Sequence, residues 1–362
     1  MDAAVAAIIE RVRDAHAHGE PLRVRGGGSK DFYGETPIGA VLDTTALVGS
    51  ADHEPTELVV TAPAGMTVVD LETQLASHGQ CLAFEPPRFT PGTTVGGMVA
   101  AGLAGPSRAA AGSVRDHVLG MTLVSGTGEL LQFGGRVIKN VAGYDVSRLV
   151  TGSLGILGVV VEVSLKVLSH AEAEATLRFD CKPGEALARL HAWGARPLPL
   201  DASAWWNGNL IVRLRGSMAA VDEAARTLGG ESIAAAAAAP FWQSLRDHTD
   251  PFFVAAQDAI DHQDATLWRL SLPQTAPLLG LAGDELIEWH GAQRWLATAL
   301  PAAQVREAAA AAGGHATAFR CRDKAAGAFT PLAPPLRAIH ERLKHAFDPK
   351  RILNPGRLYP GL

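Results

Sequence analysis

The stretch PGTTVGGMVAAGLAGPSRAAAGSVRDHVLGMTLVSGTGELLQFGGRVIKNVAGYDVSRLVTGSLGILGVV, Pro91–Val160, decides the reading of this 362-residue chain. Glycine is dense in it, but the glycines alternate with apolar, β-branched and small polar residues. That is the pattern of a backbone that must come very close to a ligand. A helix is expected from Val95-Gly96-Gly97 through Ala104. Val118–Val124 and Leu130–Phe133 read as strands joined across Ser125-Gly126-Thr127-Gly128, which has hairpin turn chemistry. Ser147–Gly152 reads as a short helix. Val159–Leu168 reads as a half-buried strand, from the alternation of Val161-Glu162-Val163-Ser164-Leu165-Lys166-Val167.

Upstream, residues 3–18 carry a helical pattern stopped by Gly19 and Pro21. Strands follow at Leu22–Arg25, Ile38–Asp43 and Leu58–Thr61, then a helix over Thr67–Ser77 with Thr67 as its N-cap. The first strand runs into Arg25-Gly26-Gly27-Gly28-Ser29-Lys30. Successive glycines let consecutive N–H groups point inward as an anion nest, or else form a plain surface turn. Neither the P-loop order nor the Rossmann spacing is present. Pro91-Gly92-Thr93-Thr94-Val95-Gly96-Gly97 sets two hydroxyls and two glycines at a helix start. This suits a phosphate or a ring carbonyl, or a capped helix at a tight crossing.

Downstream of Ser169–Ala175 the pattern changes. Strands at Ala175–Asp180, Ala202–Trp206 and Asn209–Leu214 interleave with helices at Gly184–Trp193 and Met218–Leu228. After the Ala-rich passage Ala234–Ala239 the order recurs. It has strands at Ala265–Ser271, Glu285–His290, Gln293–Ala299 and His315–Phe319, and helices at Ala276–Leu281 and Ala302–Ala312. Two tandem β-α-β-β-α units predict a ferredoxin-like cap on one sheet. A helix over Pro334–Ala346 leads to Phe347–Gly356, whose Ile352 and Leu353 predict a tail that is tied down.

The totals exclude several classes. A net charge of -5 with no Lys/Arg-rich run argues against nucleic acid. Three widely spaced cysteines, Cys81, Cys181 and Cys321, argue against an Fe–S cluster or zinc site made by this chain alone, and no metal is expected. The N-terminus reads as an amphipathic helix rather than a signal peptide, and Glu162 and Lys166 break the most membrane-like run. A cytoplasmic protein is expected.

The triple-glycine loop, PGTTVGG, GSVRDHVLG, KNVAGYD, GSLGILG and the terminal FDPKRILNPGR occur in an order that resembles the vanillyl-alcohol oxidase/PCMH-type flavoprotein family. Within it the chain is most similar to the FAD-binding subunits of bacterial three-subunit glycolate-oxidising enzymes. The resemblance implies an α+β fold: a PCMH-type FAD-binding domain of two α+β subdomains over residues 1–170, the cap over 171–330, and a segment returning to the first domain over 331–362. It implies that Arg25, Gly26, Gly27, Gly28, Ser29 and Lys30 hold the FAD pyrophosphate. Pro91, Gly92, Thr93, Thr94, Gly96, Gly97, Ala101 and Gly102 would run along the cofactor. Ser113, Arg115 and Asp116 would contact or frame it. Gly155, Gly158 and Val159 would pass the adenosine, and Asn354 would return to the isoalloxazine.

Many relatives attach flavin through a histidine in the first loop. Ser29 stands there, which implies non-covalent FAD. Related 2-hydroxy-acid dehydrogenases use a His-x-His element in the cap, which residues 171–330 lack. Lys139, Arg269 and Arg320 are the catalytic candidates, as cations for a flavin carbonyl or a substrate carboxylate, with Arg294 and Arg322 also able to hold a carboxylate. Asp261, His262 and His290 are the remaining candidates for a base.

The expected function is therefore an FAD-bearing subunit of a complex that oxidises a small 2-hydroxy acid, glycolate. A sister flavin subunit would do much of the oxidation, an Fe–S subunit would take the electrons, and any membrane contact would come through the complex. The alternatives are a self-sufficient FAD-dependent hydroxy-acid or alditol oxidase, and an assembly scaffold with a structural flavin.

Overall fold

The structure is a computed structural model and describes residues 2–135 and 143–362. The chain divides into two compact units. The first comprises Met1–Leu103, Ser113–Ser169 and Pro331–Leu362, and the second Ala104–Gly112 and His170–Thr330.

The first unit opens with the helix Ala3–His18, capped by Asp2 and closed by Gly19 in the left-handed region. Leu22–Arg25 pairs in parallel with Ala40–Asp43. A separate five-stranded antiparallel sheet runs in the order Asp52–Glu54, Val59–Pro63, Val159–Lys166, Val118–Val124, Leu130–Gly134. Val159–Lys166 lies inside this sheet, with Val160, Val161, Val163 and Leu165 all buried and Glu162 exposed. Val161, Val163 and Leu165 form the wholly buried face, and the other face is more covered than simple alternation predicts, since Val160 and Ser164 are buried there beside the exposed Glu162. The helix Val95–Ala101 is capped by the Thr94 hydroxyl and ends at Gly102 with φ 63, short of Ala104. Among the described residues no helix is long and apolar enough to cross a membrane.

The second unit is built on one eight-stranded antiparallel sheet. Its order is Glu231–Ile233, Ala173–Asp180, Asn209–Gly216, Leu200–Trp206, Asp284–Glu288, Gln293–Thr298, Thr266–Ser271, His315–Arg320. Two halves meet edge to edge where Ala204 pairs with Glu288. One face carries two separate cores. Leu177, Phe179, Leu210 and Val212 pack with Leu190, Val221 and Ala224, and Trp268, Leu270 and Leu296 pack with Val305 and Ala309.

Two features depart from the sequence reading. No helix forms over Ala276–Leu281. Pro273 and Pro277 disfavour one, and the fully buried Arg294 guanidinium takes the carbonyls of Ala276, Pro277 and Gly291 in its place. Two helices, Ala235–Asp247 and Pro251–Gln263, stand where the sequence reading has only an Ala-rich passage. The first carries Pro240 inside it and buries only Ala238, Trp242 and Leu245, too sparse an apolar stripe to read as a period.

Residues 104–112 join the second unit although both neighbouring segments belong to the first. The Ser107 hydroxyl, 0% exposed, bonds the Asp201 carboxylate at 2.9 Å and receives the Arg213 guanidinium at 2.6 Å. Arg213 also pairs with Asp201 at 2.6 Å. Trp289 donates its indole N–H to the Gly105 carbonyl, and Arg108 lies over the Trp289 ring.

Candidate functional site

In the first unit the loop after Leu22–Arg25 lines a cavity with Arg23, Arg25, Gly26, Gly27, Gly28, Ser29 and Lys30. Thr94, Gly97, Ala101, Leu154, Asn354 and Arg357 complete its walls. The glycines answer to steric demands. A Cβ on Gly27 would collide with the Gly92 carbonyl oxygen, and one on Gly26 with the Thr94 hydroxyl. The two sequence motifs cross here, with backbone against backbone. Gly28, at φ 71, turns the chain where a Cβ would strike the Arg25 guanidinium.

The hydroxyls are used within the protein. Thr93 is fully buried and donates to the Thr90 carbonyl, so it is not an open ligand donor. Thr94 accepts from the Gly97 N–H at 3.2 Å as a helix cap and also lines the cavity. The Gly96 N–H is taken by the Ala64 carbonyl. Pro91 and Gly92 supply the crossing backbone rather than the wall.

Ser113, Arg115 and Asp116 form a self-contained turn. The Asp116 carboxylate accepts from the Ser113 N–H at 2.7 Å and from its hydroxyl at 2.8 Å. Arg115 donates to the Thr151 carbonyl at 3.4 Å. This ties the turn to the Gly152-Ser153-Leu154-Gly155 loop, which is itself bonded to the helix Val95–Ala101 through Gly152 N–H to Val99 and Leu154 N–H to Ala100. Gly102 and Gly152 touch, and a Cβ on Gly102 would sit 3.1 Å from the Gly152 Cα. Gly155 faces the Asn354 amide at 2.8 Å in the same sense. A Cβ on Gly158 would overlap Leu123, and Val159 enters the sheet against Val124. The Ser153 hydroxyl is buried with no hydrogen-bond partner.

Asn354 lines the cavity, and its side chain is bonded on both sides within the protein. Its amide oxygen accepts from the Val24 N–H and its nitrogen donates to the Leu154 carbonyl, each at 2.7 Å. Its side chain ties the first strand to the Gly152–Gly155 loop. Lys139 lies outside the described residues.

The charge suits an anion. Arg23, Arg25, Lys30 and Arg357 line the cavity with a single carboxylate, Asp31. Asp31 accepts from Arg23 at 2.5 Å and from Arg25 at 2.8 Å. Burial would raise its pKa, but the two guanidiniums hold it below the usual carboxylate range. A glycine crossing that leaves no room for side chains and an excess of cations fit a ligand carrying a diphosphate.

In the second unit, Arg269 and Arg320 come together on neighbouring strands, Thr266–Ser271 and His315–Arg320. Between them lies His248, which no sequence pattern marked. It ends the helix Ala235–Asp247 in the left-handed region, φ 57. The residue is partly exposed, but its ring stacks on Phe253 at 3.8 Å and meets Trp295 and Phe319 edge-on or tilted. Burial by these rings, then Arg320 and Arg269, holds its pKa well below the usual histidine value. His248 is therefore neutral at pH 7, set in a positive field. Burial also lowers the Arg320 pKa.

The other cap candidates are placed elsewhere. Arg294 is spent on backbone carbonyls, and Arg322 is exposed and reaches the Asp261 carbonyl. His262 is exposed beside Asp258. Asp261 accepts from Gln257. His290 is bonded to the Ser203 hydroxyl, with its pKa pushed down by burial to about 4. Among the described residues no group of His, Cys, Asp and Glu could hold a metal ion, and Cys81, Cys181 and Cys321 are free thiols.

Comparison with known proteins places this geometry. Residues 3–134 match the family described as FAD binding domain. The chain is 44% identical over 356 residues to the glycolate oxidase subunit GlcE of Escherichia coli, covering 98% of this chain and 97% of that protein. It is 31% identical over 163 residues to the glycolate oxidase subunit GlcD of Bacillus subtilis, covering 44% of this chain and 34% of that one. A D-lactate dehydrogenase of Archaeoglobus fulgidus is 34% identical over 152 residues, 41% of this chain and 33% of the relative. Among solved structures, an alkyldihydroxyacetonephosphate synthase superposes with a TM-score of 0.66 at 15% identity, covering 97% of this chain and 75% of that chain, a likeness of fold alone. End to end, then, the chain belongs to the GlcE-type family of glycolate oxidase subunits, FAD-dependent oxidoreductases with a PCMH-type FAD-binding domain.

Proposed function

We propose that this chain is the FAD-bearing subunit of a multi-subunit complex that oxidises glycolate to glyoxylate. The observation that carries this is the 44% identity to the GlcE subunit across nearly the whole of both chains. The glycine crossing between residues 26–28 and 92–94 supports it as the seat of the cofactor. FAD is held non-covalently, with Arg25–Lys30 at its diphosphate and the first unit as the FAD domain. When bound, the flavin supplies the two-electron acceptor for the hydride that leaves the carbinol carbon as the hydroxyl loses its proton.

The second unit is the cap. Arg269 and Arg320 hold cationic charge where a carboxylate of a 2-hydroxy acid would be attracted. A sister flavin subunit carries out most of the substrate oxidation. Electrons leave to an Fe–S partner, for which the dispersed cysteines of this chain offer no ligand set. The complex is cytoplasmic, and membrane contact comes through its partners.

A second reading, oxidation by this chain alone, is favoured by one observation. His248 lies in the field of Arg269 and Arg320, so an imidazole and two cations able to attract a carboxylate share one region of this unit. Anaerobic mixing of the purified, FAD-loaded chain with glycolate separates the two. The proposed function expects the flavin absorbance to persist with the isolated chain and to bleach with the assembled complex. Rapid bleaching by the isolated chain transfers the chemistry to the cap of this subunit, and failure of the chain to bind FAD removes the reading altogether.

A further inference from the structure

The C-terminal segment is bonded to the cavity-lining loops at three levels. The first is a buried ion pair. Lys344 and Asp348 are both 0% exposed at their side chains and lie 2.8 Å apart. The Lys344 ammonium also donates to the carbonyls of Ile156 and Leu353, each at 2.7 Å, which uses all its N–H groups. The Asp348 carboxylate accepts the N–H groups of Ile352 at 3.1 Å and Leu353 at 2.7 Å. Ion pairs this deep survive only when every remaining donor and acceptor is met, and here they are.

The second level is the Asn354 bridge. Leu353 then runs parallel to Leu22, with the Leu22 N–H on the Ile352 carbonyl and the Asn354 N–H on the Leu22 carbonyl. The third is Arg357, 7% exposed. Its guanidinium donates to the carbonyls of Lys30 at 3.2 Å, Asp31 at 2.9 Å and Glu35. The Glu35 N–H returns the bond to the Arg357 carbonyl. Burial pushes the Arg357 pKa down to about 10, against a raising influence from Asp31, so it stays charged at neutral pH.

The ion pair fixes the course of the tail itself and reaches the Gly152–Gly158 loop through Ile156, while Asn354 and Arg357 end on backbone of the first strand, the Gly152–Gly158 loop and the residues that follow the triple glycine. A loop that begins with three glycines loses the most entropy on ordering. A ligand that had to order it would bind more weakly by that amount. We propose that the tail is a latch that sets the affinity for FAD, with Arg357 as a positioning residue for the diphosphate loop and Lys344–Asp348 as its anchor. Arg357 acts by geometry: the two ends of one planar fork reach Glu35 on one side and Lys30 and Asp31 on the other, whereas a lysine would gather its donors on a single nitrogen. This rests on the assignment of Arg25–Lys30 to the FAD diphosphate.

The test uses the full chain stripped of flavin, with FAD affinity read from the quenching of flavin fluorescence and ADP as a competing probe of the diphosphate site alone. Arg357→Lys and Arg357→Gln are each expected to weaken FAD and ADP by at least about tenfold, the cost of ordering a few backbone residues anew. Hydrogen exchange over residues 26–36 should accelerate in both. Wild-type affinity in Arg357→Lys overturns the positioning role, because it shows that charge alone suffices. Gly27→Val is the control for the underlying assignment. If it leaves FAD and ADP binding intact, the diphosphate placement has failed; if it abolishes binding while both Arg357 variants bind normally, the latch has failed. Should the variants unfold, the wild-type apo chain decides. The latch expects amides 28–33 to be protected before any FAD is added, and exchange there at open-loop rates refutes it.

Discussion

The two units of this protein stabilise themselves with different chemistry. In the first, the buried polar side chains that matter bond to backbone: Lys344 to Ile156 and Leu353, Asn354 to Val24 and Leu154, Arg357 to Lys30 and Asp31. In the second, Ser107, Asp201 and Arg213 bond side chain to side chain and aromatic rings surround His248, with the buried Arg294 the exception in taking the carbonyls of Ala276, Pro277 and Gly291. Backbone-directed bonds fix the course of loops. Bonds between side chains fix the packing of elements that already exist. The first arrangement suits a cradle whose loops must be shaped for a ligand, and the second suits a cap whose sheet is shaped by its own ladder.

The largest test sets one buried ion pair against the other. Lys344→Met leaves Asp348 charged, buried and without its ion-pair partner, and is expected to cost about 3–5 kcal/mol in denaturant-measured stability. Arg213→Met leaves Asp201 with Arg215 at 3.6 Å and should cost less. Only Lys344→Met should also weaken FAD binding, and equal effects of both variants on FAD would erase the distinction between the units.

Gly27→Val comes next. It forces a side chain into the Gly92 carbonyl, and FAD affinity should fall about a hundredfold, the equivalent of the roughly 3 kcal/mol that overpacking a tight crossing costs. Its counterpart is Gly208→Ala in the second unit, where φ is 81 but nothing lies within 4 Å. That change should cost about 1 kcal/mol of strain and leave FAD titrations unchanged.

His290 provides a pH test of the cap. Its pKa falls from 6.5 unfolded to about 4 folded, so between those values the unfolded chain binds a proton that the folded chain does not. Stability is therefore fully present above pH 6.5 and is lost as the pH falls toward 4, by on the order of 2–3 kcal/mol. Urea melts of His290→Gln should lack that part of the acid slope. An unchanged slope would mean that His290 titrates freely.

A small effect is expected at Ser107. Ser107→Ala removes one hydroxyl from the Asp201–Arg213 pair and should cost about 1–2 kcal/mol. Proteolysis within residues 104–112 should quicken in step, since this hydroxyl holds the segment in the second unit.

The two units also differed in how far they could be read in advance. Gly26, Gly27 and Gly155 announced the cradle because a Cβ there would meet Thr94, the Gly92 backbone or the Asn354 amide. The sheet strands of the second unit were legible from alternation. The helix Ala235–Asp247 was not, because an alanine run has no period and Pro240 speaks against a helix, whereas Pro251–Gln263 was missed although Asp250, Pro251 and the spacing of Phe252, Phe253, Ala256 and Ile260 mark a helix. The helix expected over Ala276–Leu281 gave way to a buried arginine that lies far along the chain and takes up the same carbonyls. His248 carries no local signature at all, since its neutrality comes from rings and arginines on other elements.

Sequence alone determined where the chain must pass close to itself, and the order of those motifs marked the family, because glycine and capping hydroxyls are demanded by local backbone geometry. Tertiary structure decided which side chains hold that geometry in place. Arg357 meets the Asp31 carbonyl 326 residues earlier, and Asn354 meets Val24 330 residues earlier. A bond to a backbone carbonyl asks nothing of the identity of the residue that owns it, so no pattern of letters records the partnership.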